Sequence, residues 1–439
     1  MKNNSSRFGL FIGLFALVFF TACGDDEMIP ELVTHPNILL IIADDMGLDA
    51  TPGYDVGASK AQMPNLAELA TEGLTFDNAW AYPICSPTRA SMLTGRYGFR
   101  TGVLNPTDAA ELPTSETTLH AYLDQQLAGI YGHSIIGKWH LGGTEARPTE
   151  MGIGYFTGIL QGGVNDYNSW SKIESGQTET QSTYITEDLT NTAIDWIAEQ
   201  ANPWFCWLAY TTPHTPFHVP PAGTHQQGDL PTDEASIEAD PLPYYHAMIE
   251  NMDHEIGRLL ASMTSSEREN TTIIFIGDNG TTRKVIQQPY AKTKSKGSLY
   301  QGGVHIPLIV SGYGVSRSNE REEGMVCSVD MFSTIAELAG INLPSYEDSQ
   351  SFEPLLSTTG TGSRTEQYAE VLNSDDPSTS GYTISNSTFK LIQYDNGDQE
   401  LYKLQSDPYE DSDLLLNTLS SEAQAALFDL EQAASDIRQ

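Results

Sequence analysis

The sequence predicts an α/β fold with a large, mixed but mostly parallel sheet sandwiched by helices, and a small C-terminal antiparallel α+β subdomain. Two observations predict it. Short apolar runs alternate with amphipathic helical patterns over most of the chain, and this alternation is typical of parallel sheets. After about residue 342 the texture changes to loop-rich sequence, short strand-like pieces and one final helix.

Short apolar runs mark the strands of the large sheet, because strands buried on both faces read as nearly continuous hydrophobic stretches. They are residues 37–42, 134–139, 203–210, 271–277 and 305–312. Helices are indicated where apolar residues recur on one face, or where a glycine ends such a pattern. The predicted helices are 185–200, 244–263, 328–340 and 421–437.

The N-terminal segment predicts export. Lys2 and Arg7 precede an apolar run at 8–20, and this run of 13 residues is shorter than the ~20 residues that a spanning helix needs. Cys23 follows "TA" and resembles the lipidated cysteine of bacterial lipoproteins, although Phe20 stands where leucine is usual. The expectation is an exported bacterial lipoprotein, periplasmic or at the cell surface, and anchored to the membrane through Cys23. The alternative is an ordinary cleaved signal peptide.

The predicted organisation has four parts. They are a signal peptide (1–22), a lipid-anchored tether (23–34), a main domain (35–345) and a C-terminal subdomain (346–439). The length of 439 residues fits one large domain plus a smaller one.

The charge balance excludes a nucleic-acid-binding function. The chain has 58 Asp and Glu against 22 Lys and Arg, a net charge of −36, whereas a polyanion needs a basic stripe. One basic island stands out, since five of the 22 cations lie within 14 positions: Arg283, Lys284, Lys292, Lys294 and Lys296. Such an island would attract an anionic substrate. The alternative is a solvated loop.

Reactive side chains follow the predicted strands. Asp44 and Asp45 come after the first run, and Asp278 and Asn279 after 271–277. Carboxylate and amide oxygens are ligands that Ca²⁺ or Mg²⁺ prefers, and the carboxyl ends of strands are where α/β proteins collect functional groups. The alternative is that these residues cap turns. Further candidates at the same edge are Lys138, His140 and His214, with weaker indications for His218.

Cys85 stands at the start of a predicted helix that ends at Gly95, with Pro87 in its first turn and Arg89 one turn along. A helix N-terminus and an arginine favour a negative or strongly polar group there. A soft thiolate is a poor partner for a cation held by hard oxygens, which indicates that the thiol is altered. Whether Cys206 and Cys327 pair is left open.

The segment "CSPTRASMLTGR", beginning at Cys85, resembles the signature of the type I sulfatases of the alkaline-phosphatase-like superfamily. Segments such as "PNILLIIADDMG", "GKWHLG", "PHTPF", "GDNG" and "ELYKLQSDPYEDSDL" resemble the family in family order, over residues 35–416. The resemblance implies that a maturation enzyme, reading Pro87 and Arg89, oxidises Cys85 to formylglycine. It makes 35–345 a catalytic sulfatase domain.

The resemblance also implies roles for the site residues. Ca²⁺, with Mg²⁺ as the alternative, would be held by Asp44, Asp45, Asp278, Asn279 and the modified Cys85. The hydrated aldehyde would attack the sulfur of a sulfate ester. The remaining residues would assist it: Arg89 holds the diol, Lys138 and Lys296 clamp the sulfate, His214 protonates the leaving alcohol and His140 takes the proton from the second hydroxyl.

The expected substrate is a sulfated sugar, a polysaccharide fragment or an aryl sulfate. Within 162–170, Asn165, Asp166, Tyr167 and Trp170 are candidate sugar contacts, against the alternative of a structured loop with a buried tryptophan. Three departures from the family pattern are Gln301, His305 and Gly277. Two other functions stay open: a phosphodiester or phosphonate monoester hydrolase of the same superfamily, and a lipoprotein that binds sulfated glycans without catalysis.

Overall fold

The computed structural model describes residue 1 and residues 35–106, 111–360, 362–374 and 376–439. The predicted tether with Cys23, and the predicted signal peptide after Met1, lie outside the described residues. Within the described ranges, no helix combines the length and the apolar character that crossing a membrane requires.

The described strands are β1 (Asn37–Ala43), β2 (Leu74–Phe76), β3 (Ala79–Trp80), β4 (Gly132–Lys138), β5 (Tyr155–Ile159), β6 (Trp170–Glu174), β7 (Gln177–Gln181), β8 (Trp204–Ala209), β9 (Thr271–Gly277), β10 (Leu308–Gly312), β11 (Glu320–Glu322), β12 (Val326–Cys327), β13 (Ser345–Tyr346), β14 (Ser349–Gln350), β15 (Gln367–Val371), β16 (Gly381–Ser385), β17 (Phe389–Tyr394) and β18 (Gln399–Lys403).

The described α-helices are α1 (Pro64–Glu72), α2 (Cys85–Thr94), α3 (Gly98–Thr101), α4 (Leu119–Leu127), α5 (Arg147–Glu150), α6 (Ile185–Ala198), α7 (Glu234–Ala239), α8 (Leu242–Ser262), α9 (Ser265–Glu269), α10 (Gln301–Val304), α11 (Met331–Leu338) and α12 (Ser421–Ile437).

The large sheet has ten strands in the order β11-β2-β10-β9-β1-β8-β4-β5-β6-β7. Its centre, from β9 to β5, is parallel at every pairing, while β10, β6 and β7 pair antiparallel nearer the edges. Side chains of β1 alternate between two cores: Ile38 and Leu40 pack in one, Leu39 and Ile41 in the other. This two-sided burial explains the continuous apolar run and confirms the predicted mixed, mostly parallel sheet.

Helices cover both faces of the large sheet. Apolar residues of α1, α6 and α8 share one core with β1, and those of α2, α4 and α11 share the other. The parallel strands therefore lie between two helical layers, and their carboxyl ends open at one edge.

Two parts of the large sheet differ from the sequence prediction. The run 305–312 starts its strand only at Leu308, because Pro307 lacks the N–H that a ladder needs. The segment after residue 160 forms β6 and β7, which extend the sheet by a hairpin. β7 consists of Gln, Thr and Glu residues and is largely exposed, so it has no apolar pattern that would reveal it.

The C-terminal region carries the predicted small antiparallel sheet, in the order β15-β16-β17-β18. Helix α12 packs against it through Ala426 and Leu430, which share a core with Ile384 and Leu391. Residues His35–Gln439 form one compact unit, and the domain boundary at 345/346 stays a prediction.

Candidate active site

The carboxyl ends of β1 and β9 bring four predicted ligands together. The two strands are parallel neighbours, so Asp44 and Asp45 emerge beside Asp278 and Asn279. The amide of Asp278 donates to the carbonyl of Ala43 at 3.0 Å, and the amide of Asp45 donates to Asp278 Oδ1 at 3.1 Å. Strand register therefore sets the positions of the carboxylates.

The next two parallel strands supply cationic and imidazole groups. Lys138 is the last residue of β4, and its Nζ donates to Asp44 Oδ2 at 2.6 Å with both side chains fully buried. His214 lies in the loop after β8, and its Nε2 is 3.9 Å from Asp45 Oδ2. Since His214 Nδ1 lies 2.8 Å from the carbonyl of Thr215, a group that only accepts, Nδ1 carries a proton and Nε2 faces the site.

Cys85 is the first residue of α2, and Gly95 in the left-handed conformation ends that helix. The thiol, one oxygen of Asp44 and one of Asp278 all lie within 4.8 Å of one another. Arg89, one turn along, donates through Nη2 to Asp278 Oδ2 and through Nη1 to the Lys138 carbonyl, both at 2.8 Å. The helix start and a buried guanidinium thus face the carboxylates.

His140 lies directly against the cysteine. Its Nδ1 is 3.2 Å from Cys85 Sγ, and its Nε2 is 3.1 Å from the carbonyl of Pro106. Burial, together with the positive charges of Lys138 and Arg89, lowers the pKa of His140 to about 3, so the ring is neutral. The carbonyl needs a donor, which leaves Nδ1 as an acceptor facing position 85.

Asp45 is held as a carboxylate by several neighbours. Lys296 Nζ and Asn279 Nδ2 both donate to its Oδ1, the latter at 2.9 Å. Burial opposes its ionisation, but Lys296, His214 and Lys138 together hold the pKa of Asp45 well below its usual range. Asp45 and His140 both have positive φ, 70° and 54°, a conformation that costs energy outside glycine and concentrates at functional sites.

The oxygen donors fit a hard cation. Asp44 Oδ1 and Asn279 Oδ1 are buried, and neither has a hydrogen-bond partner among the described residues. Such orphaned acceptors are costly unless a ligand binds them. Burial raises the pKa of Asp44 to about 7, because Lys138 offsets it only in part and Asp278 adds repulsion. Hard carboxylate and amide oxygens suit Ca²⁺ or Mg²⁺.

All ten predicted catalytic and metal-ligating residues belong to one connected group, although their individual roles stay predictions. They are Asp44, Asp45, Cys85, Arg89, Lys138, His140, His214, Asp278, Asn279 and Lys296. The other two described cysteines, Cys206 and Cys327, are buried and unpaired.

The family model described as Sulfatase matches residues 36–341, well over half of the chain. The chain belongs to the sulfatase family. A second model, described as N-sulphoglucosamine sulphohydrolase, C-terminal, matches residues 294–435. The family confirms the resemblance, and it makes the chain an enzyme of the sulfuric ester hydrolase class.

Individual relatives agree with the family. An uncharacterised sulfatase of Escherichia coli (strain K12), YdeN, is 25% identical over 463 aligned residues, covering 84% of this chain and 80% of the relative. The crystal structure of Ps i-CgsB in complex with k-i-k-neocarrahexaose is 24% identical, with a TM-score of 0.76 and 92% of each chain covered. BT4656, solved with its substrate D-glucosamine-2-N,6-O-disulfate, is 20% identical, with a TM-score of 0.75 and coverage of 92% of this chain and 98% of that one. These structures confirm the fold.

The candidate active site has a supporting layer that the sequence did not indicate. Thr281 Oγ1 donates to Asp49 Oδ1 at 2.6 Å and accepts from the amide of Gly47 at 3.0 Å. Tyr245 donates its hydroxyl to the carbonyl of Asp45 at 2.7 Å. These buried contacts fix the backbone on either side of the two ligand pairs, and their partners are about 200 residues or more apart.

The segment 162–170 supports the two histidines of the candidate site. A Cβ at Gly162 would lie 2.6 Å from His140 Cε1, so only glycine fits there. The hydroxyl of Tyr167 donates to the carbonyls of Thr211 and His214 at 2.8 and 2.6 Å. Tyr167 and Trp170 are buried, at 2% and 3% exposure, which agrees with the alternative of a structured segment with a buried tryptophan and rules these two out as sugar contacts. Asn165 and Asp166 are exposed.

Two of the departures from the family pattern, Gln301 and His305, lie outside the group of ten predicted site residues. Gln301 is buried and its amide N–H donates to Glu410 Oε2 at 2.7 Å. His305 places Nε2 2.8 Å from the carbonyl of Asp77. His218 packs against Tyr167 with ring centres 4.3 Å apart, a structural position consistent with the weaker indication from its sequence.

Proposed function

We propose that this sulfatase releases inorganic sulfate from a sulfated sugar or polysaccharide fragment, using a formylglycine made from Cys85 and a bound Ca²⁺. The observation that supports it most is the cluster of Cys85 with carboxylate oxygens of Asp44 and Asp278, of which Asp278 is also held by Arg89. Asp44 Oδ1, and Asn279 Oδ1 next to Asp278, are buried and have no described hydrogen-bond partner. Asp44, Asp45, Asp278, Asn279 and position 85 would hold the cation. The formylglycine would supply the oxygen nucleophile and the cation would polarise it.

The chain's own residues orient the ester and move the protons. Lys138 and Lys296 set two ammonium groups beside the carboxylates, where they would bind sulfate oxygens whose negative charge grows during the reaction. Arg89 is held rigid by two bonds and would orient the group at position 85. His214 presents Nε2 to the site and would protonate the leaving alcohol.

His140 is placed to accept a proton. Its neutral ring turns Nδ1 towards position 85, while Nε2 is fixed by the carbonyl of Pro106. A base so oriented would take a proton from the side chain at 85 and allow sulfate to leave. The strained backbone of His140 is consistent with a ring held at this one position.

A carbohydrate sulfate fits the comparisons best. Two structures of similar fold were solved with k-i-k-neocarrahexaose and with D-glucosamine-2-N,6-O-disulfate. We also propose export as a lipoprotein anchored through Cys23 at the periplasmic or cell-surface side, from the sequence pattern at 1–23. The partners would be the sulfated carbohydrate or an aryl sulfate, the maturation enzyme and the membrane.

The test is sulfate release from a panel of sulfated sugars and an aryl sulfate, measured by ion chromatography. The protein is produced with and without a formylglycine-generating enzyme, and assayed with Ca²⁺ and with a chelator. We expect release only after maturation, and less of it with the chelator. Matured protein that hydrolyses a phosphodiester faster than any sulfate ester would contradict the proposal.

A further inference from the structure

We propose that a second anion-binding subsite, formed by Lys284 and Lys292 beside the catalytic site, selects substrates carrying an additional sulfate or carboxylate. The proposal rests on the sulfatase function and narrows its substrate to an oligosaccharide with more than one anionic group. The reacting sulfate would bind at Lys138 and Lys296, and a neighbouring sugar would place its own anion at the subsite.

The first observation is a group of cations without partners in a very acidic protein. Of the 22 Lys and Arg residues, 20 are described, because Lys2 and Arg7 are not. Sixteen of these 20 pair with Asp or Glu within 4.0 Å. Lys60 bonds three backbone carbonyls. The remaining three described cations are Arg283, Lys284 and Lys292, all exposed.

Partnerless cations are unexpected at this charge balance. With 58 acidic residues, most cations find a carboxylate, yet these three lie within ten positions of one another in the segment between β9 and α10. An ammonium group with no protein partner keeps all its donors for a ligand. In a protein of net charge −36, a local positive patch is also what lets an anionic chain approach.

The second observation is a cavity lined by Lys284, Lys292 and residues of the loop that follows His214. It has a volume of about 720 Å³, and its lining includes Lys284, Lys292, Thr215 and Pro216. Thr215 directly follows His214. Lys292 lies four residues before Lys296, so the Cα atoms of these two lysines are at most ~15 Å apart. The cavity is therefore lined by the chain neighbour of His214, which is expected to protonate the leaving group, and by a lysine four residues from Lys296, which is expected to bind the sulfate.

The rest of the lining suits a sugar. Glu234 and Glu238 of α7 also line the cavity, and neither carboxylate pairs with Lys284 or Lys292 within 4.0 Å among the described contacts. Carboxylates accept hydrogen bonds from hydroxyl groups, whereas ammonium groups bind anions. A sugar ring with hydroxyls towards α7 and a sulfate or carboxylate towards the lysines would satisfy both sets.

The test measures binding separately from turnover. Full-chain Cys85→Ala protein, which cannot be matured, is titrated calorimetrically with tetrasaccharides from chondroitin sulfate, heparan sulfate and carrageenan. Lys284→Gln/Lys292→Gln is compared on that background, with Lys403→Gln as the matched control, since Lys403 pairs with Glu422 in the C-terminal region. We expect the double change to raise the dissociation constant of the tightest-bound tetrasaccharide about 3- to 30-fold. The control should leave that dissociation constant unchanged.

Turnover of an aryl sulfate with no second anion separates this inference from the proposed function. In active enzyme, kcat/KM for 4-nitrophenyl sulfate should stay within about twofold in the double variant, because a rim charge off the reacting atoms affects only substrates that reach it. Equal tetrasaccharide affinity in parent and double variant, or no binding of any tetrasaccharide, would overturn the subsite. Parent enzyme inactive on every sulfate ester would instead overturn the proposed function.

Discussion

The buried charges at the carboxyl edge of the large sheet and those around Asp330 differ in how completely their oxygens are bonded. Asp330 Oδ2 accepts from the Cys327 amide at 2.8 Å and from Arg364 Nε at 2.7 Å, and its Oδ1 accepts from the Gln350 amide at 2.9 Å and from Arg364 Nη2. At the catalytic edge, Asp44 Oδ1 and Asn279 Oδ1 have no described partner. Both groups are almost fully buried.

This difference separates a structural ion pair from a binding site. A buried carboxylate whose acceptors are all filled holds segments of the chain together, and little is left for a ligand. A buried carboxylate with a free acceptor is a cost to the fold unless something binds there. The comparison predicts that changes at Asp330 alter stability, and that changes at the carboxyl edge of the large sheet alter activity and cation binding.

The largest expected effect is on activity, at Cys85. We expect Cys85→Ala to lower kcat/KM on a sulfate ester by about 10⁴-fold or more, because the nucleophile is lost. The free energy of unfolding should change by no more than about 1 kcal/mol. Steady-state kinetics and urea unfolding measure the two quantities.

Cys206→Ala is the matched control for Cys85→Ala, since Cys206 is also a buried, unpaired cysteine. It lies within β8 among core residues, and the variant should keep its kcat/KM within about twofold while losing about 1 kcal/mol of stability. Comparable activity losses in the two variants would contradict the assignment of Cys85.

The second effect is on stability, at Asp330. We expect Asp330→Asn to lower the free energy of unfolding by about 3–5 kcal/mol, because it leaves the buried Arg364 guanidinium without its counter-charge. The fraction that remains folded should keep its kcat/KM. Urea unfolding measures the stability, and active-site titration measures the active fraction. An Asp330→Asn variant that is as stable as the parent but inactive would contradict the comparison.

The strand ends could be predicted from the sequence, because each ligand pair directly follows an apolar run long enough to be a buried strand. The run 271–277 matches β9 at both ends, so Asp278 follows its strand directly, as Asp44 follows β1. The helix from Cys85 to Gly95 was similarly visible from its stop signal. Because parallel strands end at the same edge of the sheet, the residues that follow them lie close to one another.

Contacts between distant polar residues could not be predicted in this way. Asp330 and Arg364, like Thr281 and Asp49, have no pattern of spacing that links them, because hydrogen-bond geometry depends on the completed fold. The aromatic residues of 162–170 look alike in sequence whether they face a sugar or a core. Burial of Tyr167 and Trp170 is decided by β6 joining the sheet.

The third effect concerns cation binding. Ca²⁺ at 100 times its dissociation constant should raise the free energy of unfolding by about 2.7 kcal/mol, because the folded state alone assembles the oxygens. Thermal unfolding with Ca²⁺ and with a chelator measures this increment. Asn279→Ala should lose most of the increment, and Asp330→Asn should keep it. If Ca²⁺ raised the free energy of unfolding equally in Asn279→Ala and Asp330→Asn, the cation would bind elsewhere than at the carboxyl edge of the large sheet.

The smallest expected effect concerns the loop that carries His214. Tyr167→Phe removes the hydroxyl that donates to the carbonyls of Thr211 and His214, and should lower kcat about tenfold with little change in KM. Tyr54→Phe is a control, because it removes a buried hydroxyl bonded to the carbonyl of Phe76, away from the histidines. If Tyr54→Phe lowered kcat more than Tyr167→Phe does, the loss of kcat would come from removing a buried hydroxyl and not from the position of His214.

The most direct test of the central claim is the mass of the peptide spanning Tyr82–Arg96, measured in protein made with the maturation enzyme and compared with sulfate release from the same preparations. The account predicts the mass of formylglycine in place of Cys85, and sulfate release that rises in proportion to the modified fraction. Unmodified cysteine in a preparation that still releases sulfate at full rate would contradict it.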